Sequence, residues 1–221
     1  MENHEEGTLT SCPTTFGNKG IFVISAPGLD PFPVLCDART AGVGYAVIAS
    51  RSNADLSFFR SWEEYKRGFG DISGDFFLGL DKLHAITKSQ THELYIHLED
   101  FEGTTRFARY DEFYIESEQE SYKLSKLGNF SGDAGDSLDY HRNQTFSTYD
   151  RGYKGCAIAR LGAWWYNDCT DSNLFGMYFK AHTTDLANGM VWYGWRGPRY
   201  SYKTMKMLVR PKCACSRSSE L

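Results

Sequence analysis

Asp133, Asp136, Asp139 and His141 fall within nine residues, and three carboxylates beside an imidazole are groups that can hold a metal or move a proton. The residues between them argue otherwise. Gly132, Ala134, Gly135 and Ser137 alternate with the acids, and Asp and Gly favour turns because the carboxylate bonds its own backbone and glycine tolerates positive φ. The cluster reads as a turn network. His92 and His97 stand at opposite parity on an extended segment, so they face opposite sides and share no site. There is no Gly-x-Ser-x-Gly, no phosphate loop and no metal-ligand spacing, and no pairing of a nucleophile with a base. The sequence reads as a protein that binds, not one that catalyses.

Six cysteines carry the remaining chemistry: Cys12, Cys36, Cys156, Cys169, Cys213 and Cys215. None forms Cys-x-x-Cys and none sits near a histidine at zinc-finger spacing. Cysteine usage follows redox compartment, so the number points to disulfides and an oxidising environment. Asn129-Phe130-Ser131 and Asn143-Gln144-Thr145 are acceptor sequons for N-linked sugar, which places Asn129 and Asn143 on a secreted surface. The start, MENHEEGTLTSCP, is acidic and has neither a basic nor an apolar region of a signal peptide, so a secretion signal is not expected within this sequence. No apolar run approaches transmembrane length, and no membrane insertion is expected.

These groups need a scaffold, and the protein is long enough to build one. At 221 residues with 41% hydrophobic and 24% charged residues, it can bury a sizeable core. A net charge of −4 argues against nucleic acid, which needs a clustered positive field. Aromatic residues reach 15%, more than a core alone requires, as at binding surfaces.

Ile21-Phe22-Val23-Ile24, Phe32 to Asp37 and Gly44 to Ser50 read as short strands. Ser61-Trp62-Glu63-Glu64 is a capping box, and Trp62, Tyr65 and Phe69 form a stripe at helical spacing. A second helix is expected over Leu80 to Thr87. Glu93 to Glu99 alternates strictly, and Asp100 to Gly103 turns it back into Thr105 to Ile115. Tyr122 to Leu127 adds a strand, and Tyr202 to Arg210 is a final strand rejoining the central sheet, ended by Pro211. Residues 1–11 are expected to be disordered and 212–221 to form a polar tail.

From about 128 to 195 the sequence is irregular and glycine-rich. Cys156 and Cys169 bracket Gly162-Ala163-Trp164-Trp165-Tyr166; Asn173, Gly176, Tyr178, Asn188, Gly189 and Trp192 follow. Large flat side chains replace regular packing there, in a lobe whose surface binds things.

Several segments, in order, resemble the fibrinogen C-terminal domain shared by fibrinogen chains, ficolins, angiopoietins and tenascins. They are Phe32-Pro33-Val34-Leu35-Cys36-Asp37, the run Phe58 to Gly70, Phe76-Phe77-Leu78-Gly79-Leu80-Asp81, Leu98 to Gly103, Ala134 to Leu138, Phe146-Ser147-Thr148, the Trp-Trp lobe and Met205 to Pro211. The resemblance covers about residues 12–211. It implies an α+β fold: a small N-terminal subdomain, a central twisted antiparallel sheet with short helices, and a disulfide-bonded lobe. It implies disulfides Cys12–Cys36 and Cys156–Cys169, each closing a modest loop worth roughly 3 kcal/mol. Cys213 and Cys215 have no partner in the family pattern, which leaves an interchain disulfide open. It also implies a cis bond between Asp168 and Cys169 that turns the Thr170 amide and side chain toward the lobe surface beside Arg160.

Where the family carries ligand sites, this sequence departs from the pattern. Relatives bind calcium through an acidic loop before the first lobe cysteine; here the loop reads Asp150-Arg151-Gly152-Tyr153-Lys154-Gly155. Asp150 matches, but Gly152 stands at the next acidic position, and one carboxylate does not supply the six to eight oxygens that calcium takes. No cofactor is expected. Ficolin-type relatives hold acetylated sugars in an aromatic pocket. The corresponding positions are Arg160, Thr170, Leu186 and Pro198, with only Ala187 and its frame retained, so affinity for acetylated sugars is not expected. Arg160, Arg196 and Arg199 remain as a basic surface for a partner. The implied function is recognition of an extracellular protein or glycoprotein through Arg160, Asp168, Cys169, Thr170, Leu186, Ala187 and Pro198. Lectin-like sugar recognition in innate immunity, or a structural or oligomerising matrix module, are the alternatives.

Overall fold

The computed structural model describes residues 8–182 and 186–212. Cys213 and Cys215 lie outside the described residues, and so does most of the polar tail.

The alternating segments build one sheet of ten strands. In sequence order the strands of this sheet are β1 (Lys19–Ile24), β2 (Phe32–Asp37), β3 (Ala46–Arg51), β4 (Phe69–Gly70), β5 (Phe76–Phe77), β6 (His92–Glu99), β7 (Thr105–Ile115), β8 (Leu124–Leu127) and β9 (Phe130–Gly132). The lobe adds the short strands β10 (Ser172–Asn173), β11 (Ala181–His182), β12 (Val191–Trp192) and β13 (Tyr200–Ser201). The last element is β14 (Thr204–Pro211), the tenth strand of the large sheet. The main path runs β1-β2-β3-β14-β6-β7-β8, and every pairing within the sheet is antiparallel. The last strand therefore lies in the middle: β14 pairs β3 on one side and β6 on the other, with Met207 opposite both Ala49 and Ile96. Its apolar residues Met205, Met207, Leu208 and Val209 are buried, while Thr204, Lys206 and Arg210 stay partly exposed, as in an antiparallel strand with one face on the core.

Among the described residues five short α-helices punctuate the strands: α1 (Ala38–Ala41), α2 (Trp62–Arg67), α3 (Leu80–Ser89), α4 (Lys154–Ala159) and α5 (Tyr193–Arg196). The capping box forms as the sequence predicts. Ser61 Oγ accepts from the Glu64 amide while the Glu64 carboxylate accepts from the Ser61 amide at 2.9 Å. Trp62 and Tyr65 are buried, whereas Phe69 leaves the helix after Gly68 and enters β4 opposite Phe77. The strand expected from Tyr122 starts at Leu124, because Ser121 and Tyr122 both take positive φ and turn the backbone.

Two features fasten the lobe to the sheet. The Phe175 ring touches Phe58, Tyr65, Phe77 and Trp164 with centroids 4.9–5.8 Å apart, so one lobe residue packs on α2, β5 and the Trp-Trp run at once. Arg51, buried at the end of β3, donates to the carbonyls of Leu174 at 3.2 Å and Gly176 at 2.5 Å. Those carbonyls belong to a turn that crosses the 188–190 segment closely. A Cβ at Gly176 would sit 2.3 Å from the Gly189 carbonyl oxygen, which excludes every side chain there.

The opposite end of the sheet is tied by a buried carboxylate. Glu93 on β6 accepts from the Tyr45 hydroxyl at 2.5 Å, Arg210 Nε at 2.8 Å and Arg109 Nε at 3.0 Å. Burial pushes the Glu93 carboxyl up; the bonds from Tyr45 and Arg109 and the Arg210 charge outweigh it and hold it below the usual range. Glu93→Ala leaves two guanidiniums and a phenol without their acceptor. It should cost about 1–3 kcal/mol, chiefly from the buried Tyr45 hydroxyl, since Arg109 and Arg210 are partly exposed and regain water. Urea unfolding checks this; a change of a few tenths would mean that water replaces the carboxylate.

Candidate functional site

The lobe has little regular structure to absorb its backbone groups, and buried side chains do so instead. Asn173, fully buried on β10, is the first. Its Nδ2 donates to the Arg160 carbonyl at 2.8 Å and the Ala187 carbonyl at 3.1 Å, and its Oδ1 accepts from Tyr166 at 2.8 Å. One amide thus joins the end of α4 to the 187 segment. The Arg160 side chain repeats the link, with Nη1 donating to the Leu186 carbonyl at 2.6 Å. The Ala187 amide donates to the Pro198 carbonyl at 2.8 Å. Four of the residues read from the sequence, Arg160, Leu186, Ala187 and Pro198, are therefore brought together. Leu186 is exposed, Pro198 half-buried and Ala187 buried.

His141 is the second hub. Its Nδ1 donates to the Trp165 carbonyl at 2.6 Å, and its Nε2 accepts from the amides of Asp171 and Ser172, both at 3.2 Å. This pattern fixes the neutral imidazole with its proton on Nδ1. Burial pushes the group down to about 4, against the bond to Trp165. The ring packs edge-on against Tyr140 and Trp164. Of the acid cluster that precedes it, Asp136 accepts from the Tyr110 hydroxyl at 2.5 Å and from the amides of Leu138 and Asp139, and Asp133 accepts from the Phe107 amide at 2.9 Å. The bonds from Leu138 and Asp139 are the local turn bonds that the sequence predicts, whereas those from Tyr110 and Phe107 come from β7, 26 residues away.

Cys156 and Cys169 are bonded, as are Cys12 and Cys36, with Cα atoms 5.4 and 5.6 Å apart. The Asp168–Cys169 peptide bond is cis. Asp168 is exposed. Thr170 is not where the resemblance implies. It is 6% exposed, and its hydroxyl donates to the Ser172 carbonyl and lies 3.4 Å from His141 Nε2. The turn after Cys169 directs Thr170 inward because His141 gathers the amides that follow it. The basic surface is also smaller than the arginine count implies. Arg196 is ion-paired with Asp100 and, at 3.1 Å, with Glu102, so its charge is spent within the fold.

The residues of the calcium loop do not fit the ion. Asp150 Oδ1 accepts from the Trp62 amide at 3.0 Å and the Thr148 hydroxyl at 2.6 Å, which caps α2 from across the fold. Gly152 takes φ +77°, and a Cβ there would lie 2.6 Å from Ser147 Oγ, so no acidic side chain can be placed at that position without moving the loop. Arg151 stacks 4.0 Å over the Trp62 ring and pairs with Glu118 at 3.0 Å. Glu118 also accepts from Lys66 at 2.6 Å and Trp62 Nε1 at 2.9 Å; these bonds, Lys66 first, pull its carboxyl down to about 2. The cation at this loop is a guanidinium that the protein itself supplies. Among the described residues no three His, Cys, Asp or Glu are grouped to hold a metal.

Asn173, His141 and Glu118 do the positioning, and sequence reasoning missed all three as such. Their partners lie beyond local spacing, from 7 residues away for Asn173 to 56 for Glu118, so no short-range pattern marks them.

An antiparallel sheet with a disulfide-bonded lobe and this loop geometry defines a fibrinogen-like globe. The protein belongs to the family of the C-terminal globular domain of fibrinogen beta and gamma chains, whose model matches residues 15–212. It is 43% identical to human angiopoietin-related protein 7 over 192 residues, 84% of this chain and 55% of that protein. The bovine form is 44% identical over the same length and share. The chain thus spans about half the length of these curated relatives. Human microfibril-associated glycoprotein 4 is 40% identical over 206 residues, covering 88% of this chain and 80% of that protein. Among solved structures, the fibrinogen-like globe domain of human ANGPTL2 superposes with a TM-score of 0.88 at 35% identity, covering 93% of this chain and 100% of that one. A lamprey fibrin D-dimer complexed with the peptide Gly-His-Arg-Pro-amide gives 0.85 at 27% identity, covering 99% and 79%.

Two outcomes follow from the hubs. His141 is neutral in the fold to about pH 4 but protonates near 6.5 when unfolded. Between these values the unfolded state binds more protons, so stability is full above pH 6.5 and falls as pH drops toward 4, by at most ~3 kcal/mol from this group. Burial also lowers His92 and His97, and they add in the same direction. His141→Gln should reduce stability at neutral pH and flatten the slope of unfolding free energy between pH 6.5 and 4; an unchanged slope would remove His141 as its source. Calcium and excess EDTA should give the same Tm. A calcium-dependent rise that disappears in Asp150→Ala would show that the loop still binds the ion.

Proposed function

We propose that this protein is an extracellular recognition domain, not an enzyme, and that it binds a protein partner through the lobe surface around Ile158, Arg160 and Leu186. The observation that carries this reading is the exposure of apolar side chains on a fixed frame. Ile158 on α4 is 54% exposed and Leu186 43%, with Tyr153 at the start of α4 at 52%. The frame beneath them is rigid: α4 holds one cysteine of the Cys156–Cys169 bridge, Arg160 bonds the Leu186 carbonyl, and Asn173 bonds both segments from below. Apolar anchors beside an arginine on a pre-organised surface are the composition of protein-binding hot spots.

The relatives' names point the same way. The lamprey D-dimer was solved with a peptide, and the curated relatives carry angiopoietin-related and microfibril-associated names. Two intrachain disulfides suit an oxidising, extracellular compartment. Asp168 contributes an exposed acid at the border of the surface, while Thr170, Cys169 and Ala187 support it from within.

The test is capture of an extracellular protein from conditioned medium by the tagged domain, followed by binding of that protein to variants. Ile158→Asp should weaken binding by about tenfold or more while leaving the Tm nearly unchanged, and Arg160→Glu should weaken it at least as much with some loss of Tm, because it also removes the bond to the Leu186 carbonyl. Binding at full strength by both variants would move the site elsewhere in the domain.

A further inference from the structure

The two sequons differ in what the fold does with them. Asn129 is occupied: its amide N–H donates to Asp111 Oδ1 at 2.6 Å and its Nδ2 lies 3.4 Å from Asp111 Oδ2, which also accepts from Lys212 at 3.3 Å. The rest of that sequon, Phe130 and Ser131, is strand β9, paired with Tyr110 and Arg109 of β7. Asn129 and Ser131 are exposed and the Ser131 hydroxyl makes no hydrogen bond among the described residues, so this sequon differs in two respects: its asparagine amide is turned to an ion-paired carboxylate, and its backbone is held in a sheet ladder.

Asn143 presents the opposite case. It takes φ +63°, a conformation that asparagine tolerates better than most residues, in the turn after His141. Its backbone is pinned: the Asn143 amide donates to the Leu124 carbonyl at 2.7 Å, and the Leu124 amide donates to the Gln144 carbonyl at 3.0 Å. Its side chain is exposed, as is that of Thr145, and neither side chain makes a hydrogen bond among the described residues. Backbone fixed and side chain free is the arrangement that presents a group to solvent.

We propose that Asn143 carries an N-linked oligosaccharide and that Asn129 does not. The proposal rests on the extracellular part of the function proposed above. In the transfer step, Asn143 Nδ2 attacks C1 of an oligosaccharide carried as a lipid pyrophosphate. The new C–N bond replaces the C1–O bond, the pyrophosphate leaves with the electron pair, and the amide gives up one proton.

The position has a structural consequence. β8 is an end of the main strand path, and a sheet edge offers unpaired backbone groups to other proteins. Residues 142–144 close part of that edge: Leu124 is bonded by Asn143 and Gln144, and the Leu127 carbonyl accepts from Arg142. A hydrated oligosaccharide on Asn143 adds a block along the same edge, where exposed Lys126 stands.

The experiment uses the full sequence behind a secretion signal in mammalian cells, with Asn143→Gln, Asn129→Gln and Thr145→Ala beside the unaltered protein. Intact mass is read before and after peptide N-glycosidase, on material from the medium and from the cells. The unaltered protein and Asn129→Gln should each lose the mass of one oligosaccharide, and Asn143→Gln and Thr145→Ala should lose none. Thr145→Ala keeps Asn143 in place, so a change in folding at the asparagine is not mistaken for loss of the acceptor. A protein unmodified at Asn143, or an oligosaccharide that persists in Asn143→Gln, would overturn the proposal. Full-strength partner binding by Ile158→Asp and Arg160→Glu, with the oligosaccharide present on Asn143, would instead count against the recognition surface alone.

Discussion

A folded protein without long helices or ladders must still give every buried carbonyl a donor, and in this lobe a few side chains meet that requirement. Asn173 is the clearest case. Its amide serves the carbonyls of Arg160 and Ala187 with geometry that a sheet would otherwise provide. Removing it would leave those buried carbonyls unsatisfied, a cost of about 1–3 kcal/mol for each group. The position of Leu186 and Arg160 at the surface depends in part on this interior bond, which acts beside the backbone bonds from Met177 to the Asn188 carbonyl and from Ala187 to the Pro198 carbonyl.

His141 plays the same part for the residues after Cys169. It collects two amides on one nitrogen and spends the other on the Trp165 carbonyl. The bridge between Cys156 and Cys169 fixes the ends of this region, and His141 and Asn173 fix what lies within and after it. Aromatic packing completes the assembly: Phe175 and Arg51 join the lobe to α2, β3 and β5, so the irregular part is braced by the regular part. These three layers of constraint pre-organise the surface, and a pre-organised surface loses less entropy if it binds.

The loop at Asp150 shows how one fold exchanges one kind of charge for another. A divalent ion neutralises carboxylates and draws loop oxygens inward. Here the carboxylate of Asp150 caps α2, and Arg151 lies between Trp62 and Glu118. The pair is partly exposed, so it contributes modestly to stability, but it gives the loop a fixed direction. Local geometry closes the way back, since position 152 admits glycine alone without a shift of Ser147.

Several features were determined by the sequence alone. The capping box at Ser61, the alternation of β6, the turn at Asp100 and the positions of α2 and α3 rest on interactions within a few residues, and the structure repeats them with small shifts at their ends, while α1, α4 and α5 were not legible. Ordered motifs over nearly the whole sequence were legible as a family resemblance, and so were both disulfides. The tertiary structure alone decided which surface the lobe presents. Thr170 reads as a surface residue from its place after Cys169, yet it is buried, because His141 lies 29 residues away in sequence and beside it in space. Arg196 reads as a free cation, yet Asp100 neutralises it from 96 residues away. Pattern and propensity carry information over one or two turns of backbone; a buried polar group is satisfied by whatever the fold brings to it, and that is settled only when distant segments meet.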